Sequence, residues 1–302
     1  MIRVQNAEKS YEKGAKALDG LCINVERGSI YGLVGTNGAG KTTVIKSIMG
    51  ILMLDGGEIT VAGEPVYDNP AIKQKLGYVS DDPFAFRGYT LKEMGAYTAG
   101  LYGNWSEERF RAMLADFNLN GKAKLSSFSK GMRKQAAFIL AMSVMPEYLI
   151  LDEPIDGLDP LVRRKVWKYI IDDVAEREMT VLVSSHNLRE MEGYCDHIGI
   201  ISEGRMVIER DLEDLKSDVH KVQVAFREEA EDTFTKATQG MNIMHYEKRG
   251  SVHIAIVRES ADDILEKLQP FDTPVLDLLP LTLEEIFIYE LGGDSHEIDN
   301  II

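Results

Sequence analysis

The sequence predicts an α/β protein built on a parallel sheet, followed by a small α+β unit. Three observations predict it. The apolar run Ile30–Val34 leads through the glycine loop Gly35-Thr36-Asn37-Gly38-Ala39-Gly40-Lys41-Thr42-Thr43 into the helical pattern Val44 to Met49. Two more apolar runs, Tyr148 to Leu151 and Thr180 to Ser184, end in Asp152-Glu153 and in His186, at the strand ends where parallel sheets hold their ligands. From about Asp214 onward strand and helix patterns alternate without a catalytic motif.

The glycine loop has the spacing G-x-x-x-x-G-K-T. A backbone that wraps a diphosphate turns consecutive N–H groups inward, which residues without a Cβ allow, and Gly35, Gly38 and Gly40 supply them. The loop opens a helix, whose N-terminus favours an anion. Lys41 would reach the β and γ phosphates and Thr42 would ligate Mg²⁺. The loop therefore predicts a nucleoside triphosphate site.

Composition bounds the rest. At 302 residues the chain has room for about two domains. Its longest helical apolar run, Gln135 to Met145, is far short of the ~20 residues of a membrane span, so a soluble chain is expected. Cys22 and Cys195 have neither metal-ligand nor disulfide-framework spacing, which fits a reducing compartment. The formal net charge is −15, and the stretch from Glu213 to Ile302, with 20 acidic and 8 basic residues, carries most of it. A field of that sign repels phosphate backbones, so no nucleic-acid partner is expected there.

In chain order, Arg3 to Asn6 and Leu21 to Val25 read as strands with Tyr11 between them, where its ring can stack on an adenine. Glu58 to Gly63 alternates as a strand that ends in a turn. Leu76 to Ser80 reads as a buried strand that delivers Asp81 and Asp82 to its carboxyl end. Helices follow at Leu91 to Leu101, Ser106 to Phe117 and Ser129 to Met145, a helical subdomain of about residues 84–145, with Ser129 as an N-cap and Gly131 keeping the approach open. In the first of them Leu91, Met94, Tyr97 and Leu101 form one apolar face that packing inside the subdomain would use. Asp152 beside a metal and Glu153 polarising a water form the carboxylate pair that phosphoryl transfer to water needs. Gly157-Leu158-Asp159-Pro160, a helix from Leu161 to Arg177 and His186 complete the stretch.

In this order the residues resemble the nucleotide-binding subunit of ATP-binding cassette (ABC) transporters, over about residues 1–212. Gly35 to Thr43 match the family's Walker A loop, Ser129-Lys130-Gly131-Met132 its signature loop and Leu149 to Glu153 its Walker B strand. Gly157 to Asp159 match its D-loop, His186 its switch histidine, and Tyr11 its adenine-stacking aromatic. The resemblance implies a phosphate-loop ATPase core with an antiparallel β subdomain and the helical subdomain, spanning 1–212, and an accessory α+β domain over 213–302. It also implies ATP and Mg²⁺. Catalysis would fall to Lys41, Glu153 and His186, and metal binding to Thr42, Asp152 and Asp81. The nucleotide would be held by Tyr11, by Gly35 through Thr43, and by Ser129, Gly131 and Asp159. A second ATPase subunit, identical or related, would face the first head to tail, so that Ser129 and Gly131 of one complete the site of the other.

Two residues depart from the family pattern. Asp81 stands where a Gln is usual, and Ile155 where a Thr is usual. Asp81 can give an oxygen to Mg²⁺ or water but cannot donate as an amide does. Ser-Lys-Gly-Met is a signature variant similar to the half-exporter and antibiotic-resistance branches, and Leu281-Thr282-Leu283-Glu284-Glu285-Ile286-Phe287 resembles the ending of ATPases whose permease is a separate chain. The expected function is thus ATP hydrolysis driving transport, by resemblance export, through separately encoded multi-span permease subunits at the cytoplasmic face of the membrane. The alternative is a soluble regulatory or nucleic-acid-linked ABC ATPase. Phe84, Phe86 and Tyr89, which follow Asp81, are expected to line a groove for a permease helix.

Overall fold

The computed structural model describes residues 1–11, 14–83, 88–227 and 232–290. Two compact units divide the chain, Met1–Glu209 and a second that begins at Arg210. Phe84 and Phe86 lie outside the described residues.

Six strands make the central sheet of the first unit, in the order Arg205–Asp211, His197–Ser202, Ile30–Val34, Thr180–Ser185, Tyr148–Asp152 and Leu76–Val79. The pairings of Ile30–Val34 with Thr180–Ser185 and with His197–Ser202 are parallel, as are those of Tyr148–Asp152 with Thr180–Ser185 and with Leu76–Val79. Ile30–Val34, Tyr148–Asp152 and Thr180–Ser185 are buried along their whole length, which explains their unbroken apolar runs. The strands His197–Ser202 and Arg205–Asp211 lie between His186 and Asp214, a stretch where the sequence predicts no element.

A second, antiparallel sheet is ordered Lys16–Val25, Ile2–Ser10, Gly56–Val61 and Glu64–Pro65. The helix Lys41–Ile48 shares one core with both sheets, its Val44, Ile45 and Ile48 lying among Ile2, Leu18, Tyr148 and Leu182. Each of those helix side chains contributes about 1.5–3 kcal/mol by leaving water. The helix that opens at the glycine loop is thereby clamped on two sides.

The helical subdomain contains Leu91–Leu101, Glu107–Asp116 and Lys130–Ser143, with side-chain caps from Thr90, Ser106 and Ser129. One expected packing face is corrected. Leu91–Leu101 buries Leu91 and Gly95, while Tyr97 and Leu101 are about half exposed. The reason is Gly95: a Cβ there would lie 2.7 Å from Cζ of Phe110, so the helices meet at a residue that an apolar count passes over.

The second unit has a four-stranded antiparallel sheet in the order Ile243–Arg249, Val252–Arg258, Val219–Ala225, Val275–Leu279. With helices Thr233–Ala237 and Ala261–Leu268 between strands, this is the split β-α-β arrangement. Val222, Val224, Ala255 and Val257 form one sheet face and share a core with Ile264 and Leu268. The helix Leu283–Glu290 addresses the other face, where Lys221 Nζ meets Glu285 at 3.3 Å and His245 meets the ring of Tyr289. Thr282 and Glu285 begin that helix with reciprocal bonds to each other's backbone N–H.

Candidate functional site

Strand register decides which loops meet. Val34 lies opposite Ser185, Asp152 opposite Ser184 and Val79 opposite Leu151, so the glycine loop, Glu153, His186 and Asp81 all leave the sheet at its carboxyl edge. The glycine loop is tied to this edge by Gly35 N–H donating to Ser185 O (3.3 Å). At Gly35 a Cβ would lie 2.3 Å from Ile201 O, and Gly40, at φ 113°, would put one 2.6 Å from Ala17 O. Only glycine fits either place.

Lys41 is 5% exposed and donates to Gly35 O (2.5 Å) and Thr36 O (3.2 Å), across the inside of its own loop. Its Nζ also stands 3.4 Å from Glu153 Oε1. The other carboxylate oxygen of Glu153 accepts from His186 Nδ1 at 2.8 Å, because an ionised carboxylate can only accept. Behind this pair, Ser184 Oγ donates to Asp152 (2.8 Å) and accepts from Glu153 N–H (3.1 Å). Asp152 also takes a hydrogen bond from Thr42. Burial, with Glu153 and Asp81 adding like charge, raises the Asp152 carboxyl above its ordinary range against the pull of the Ser184 and Thr42 bonds.

The remaining expected residues occupy distinct places. Tyr11 is half exposed, with its hydroxyl 3.3 Å from Thr43 Oγ1 at the start of the phosphate helix. Asn37 and Gly38 sit at the loop's crest, and Ala39 N–H closes a turn onto Thr36 O. Ser129 caps its helix through Met132 N–H, and a Cβ on Gly131 would face Gly157 O at 3.3 Å. The Asp159 carboxylate caps its own helix, accepting from Leu161 and Val162 N–H. Asp81, expected beside the metal, has its carboxylate 2.9 Å from Lys134 Nζ.

Residues 18–156 match the ABC transporter family. The chain is 31% identical to the bacitracin transport ATP-binding protein BcrA of Bacillus licheniformis, over 98% of each chain. It belongs to the ATP-binding subunits of ABC transporters. It is likewise 29% identical to the ABC transporter ATP-binding protein YtrB of Bacillus subtilis (strain 168), over 97% of this chain and 99% of that one. A solved ATP-binding subunit of an ABC transporter, 30% identical, aligns with a TM-score of 0.66 over 72% of this chain and 92% of that one. A dimeric cassette bound to ADP and Pi shares the fold at 22% identity and a TM-score of 0.64, over 70% of this chain and 99% of that one.

As a member of this family the protein is an ATPase that binds ATP with Mg²⁺. The residues present fit both. The glycine cradle with Lys41 across it suits phosphate, and the buried Asp152, crowded by like charge and joined to the Thr42 hydroxyl, suits a divalent cation. Among the described residues no three His, Cys, Asp or Glu are grouped to hold a metal. Ser184 and Lys134 escaped the sequence reading. A lysine just before the apolar run of a helix was the available signal, since a buried lysine needs a partner.

Proposed function

We propose that the chain hydrolyses ATP to drive export through separately encoded membrane-spanning subunits, with two ATPase subunits paired head to tail. The observation that carries the chemistry is the Glu153 carboxylate held between Lys41 and His186 at the sheet edge where the phosphate loop begins. In this reading Lys41 exchanges its loop carbonyls for the β and γ phosphates, which offsets the charge that develops there. Glu153 takes the proton of the attacking water. His186, its Nδ1 engaged by Glu153, offers Nε2 to the γ phosphate. Thr42 and Asp152 would hold Mg²⁺, which when bound supplies Lewis-acid stabilisation of the phosphate oxygens. Tyr11 stacks on the base, and Ser129, Gly131 and the Asp159 loop face the nucleotide of the second subunit.

The likeness to BcrA over 98% of its length supports the transport reading, and bacitracin, named in that relative, is the cargo class to try first. A cavity of about 300 Å³ supports a docking place for a membrane subunit; its lining includes Met49, Tyr78, Pro83, Thr98, Tyr102 and Leu140. The buried Tyr78 hydroxyl finds no hydrogen-bond partner among the described residues, and burial, with the charges of Asp152 and Asp81, pushes its pKa up to about 12. An incoming backbone carbonyl would satisfy it. Exposed Tyr97 and Leu101 lie on the helix that contributes Thr98 to the lining, and exposed Tyr89 lies just before that helix. No described helix is long and apolar enough to cross a membrane, so location at the cytoplasmic face would depend on such a partner.

Purification of the tagged chain from membranes tests this reading. A multi-span protein should come with it, and Tyr97→Glu with Leu101→Glu should remove that protein while basal ATPase and melting temperature stay. Recovery of ribosomes, or of the chain without a membrane protein, would refute it.

A further inference from the structure

Lys134 is a lysine whose side chain is 0% exposed, one helical turn inside Lys130–Ser143. Its Nζ donates to the carbonyl oxygen of Glu153 at 2.6 Å, lies 2.9 Å from Asp81 Oδ1 and 3.7 Å from Asp156 Oδ2. Lys130 covers the same two carboxylates from outside, at 3.9 and 3.0 Å. A sealed ammonium is expensive unless its protons find acceptors, and here the Glu153 carbonyl and the Asp81 carboxylate take two of them while the Asp156 carboxylate adds charge from farther off.

The carbonyl it holds is an unusual one. Glu153 has φ 49°, a left-handed conformation that side chains other than glycine's rarely adopt. Consecutive residues of an extended strand point to opposite faces, so Asp152 and Glu153 could not both address one site without a change of direction. The left-handed turn makes that change. It leaves Asp152 with Ser184 and Thr42 and turns Glu153 toward Lys41 and His186. Ser184 grips the peptide nitrogen of Glu153 and Lys134 grips its carbonyl.

We infer that Lys134 is a positioning residue: it holds the Glu153 turn in its productive form, and Asp81 acts on hydrolysis through Lys134. This rests on the reading of Glu153 as the group that polarises water. Asp81 follows the strand Leu76–Val79, whose Tyr78 lines the cavity beside Ser80 and Pro83. A displacement of Asp81 by anything seated in that cavity loosens the ammonium and, through one hydrogen bond, the turn. The dependence runs from the sealed ammonium to the half-exposed carboxylate: Lys134 needs a counter-charge, and Asp81 supplies it.

Steady-state phosphate release by the full chain, with melting temperature measured on each variant, tests the inference. Lys134→Met keeps the stem and removes the ammonium, and should lower kcat at least about tenfold, since a misplacement of ~1 Å can cost up to 10²-fold. KM for ATP should stay within about twofold, because the polar partners described for Lys134 are Glu153, Asp81 and Asp156, none of them in the phosphate loop. Lys134→Gln, whose amide can donate to the same carbonyl, should return kcat to within about threefold of wild type. Asp81→Leu should lower kcat about threefold alone and not at all in the Lys134→Met background. Wild-type kcat in Lys134→Met, equal losses in Met and Gln variants, or additive effects with Asp81→Leu would overturn the inference. If Lys134→Met does not fold, the kcat and KM of Asp81→Leu and Lys134→Gln decide: an unchanged kcat in Asp81→Leu overturns it. Glu153→Gln run alongside separates the two layers. Wild-type turnover in that variant removes the Glu153 reading and the inference with it, whereas slow turnover there beside wild-type Lys134→Met removes only the inference.

Discussion

Asp152→Asn should make the nucleotide-free protein more stable while ending ATP hydrolysis. Asn keeps the volume of Asp and the oxygen that accepts from Ser184 Oγ at 2.8 Å, and the Thr42 hydroxyl can turn to accept from the Asn amide, so packing is conserved and the charge is lost. That charge sits on a residue 1% exposed, with Glu153 and Asp81 adding charge of the same sign. Relief of this kind at a functional site stabilises by about 0.5–2 kcal/mol. In a cooperative unit of this size each kcal/mol moves Tm by about 2–4 °C, so a rise of roughly 1–8 °C is expected. The sign with pH follows from the raised carboxyl. Its proton is bound more tightly folded than unfolded, so wild type loses stability as pH climbs from the unfolded value near ~3.9 through the native one. The variant lacks that loss, and the gap in Tm should widen over this interval and then stay constant. Scanning calorimetry in EDTA measures it. Added Mg-ATP should reverse the order, since under the proposed reading wild type alone keeps the carboxylate for the metal. A variant melting at or below wild type in EDTA near neutral pH would refute the reasoning.

Lys41→Ala should abolish tight ATP binding in titration calorimetry, and retained affinity would remove Lys41 from the phosphate site. Glu153→Gln should bind ATP normally and turn it over at least ~10²-fold more slowly, as for loss of a general base; phosphate release at the wild-type rate would end that assignment. With saturating Mg-ATP the same variant should be dimeric by light scattering, and a monomer would count against the head-to-tail pairing. Gly35→Ala should lower Tm by several degrees, because its Cβ meets the backbone oxygen of Ile201 at 2.3 Å, an overpacking that costs about 1–3 kcal/mol; an unchanged Tm would mean the loop yields.

The parallel strands were legible because both faces of each are buried, leaving runs such as Leu149-Ile150-Leu151 with no alternation to misread. Ser106 and Ser129 marked their helices by a local signal, the side-chain cap. The hairpin Ile2–Ser10 with Lys16–Val25 was read too short, since register shifts after Val4 and Ala7 break the period of two. Tyr97 and Leu101 were assigned inward because helical spacing is blind to a glycine seated on Phe110. Within the site, glycines and titratable groups announced themselves by spacing. Lys134 and Ser184 did not, because their role exists only across elements: the lysine's partners are the strand ends of Asp81 and Glu153, and the serine's is Asp152 on the neighbouring strand.

That cross-strand dependence has a consequence for how the site arises. Asp152 and Ser184 share one rung of the sheet, 32 positions apart in sequence, and Val34 and Ser185 share another across a far longer separation. A slip of one residue between Tyr148–Asp152 and Thr180–Ser185 would reverse which side chains face the phosphate helix, removing Ser184 from both Asp152 and Glu153 N–H. The core forbids the slip. Ile150 and Leu182, paired on the same two strands, lie in the cluster that also holds Val44 and Ile45 of the phosphate helix. The apolar contacts that fix strand register therefore also fix the distance from Lys41 to Glu153. Large-to-small changes at Ile150 or Leu182 would act on turnover through that distance as well as on stability.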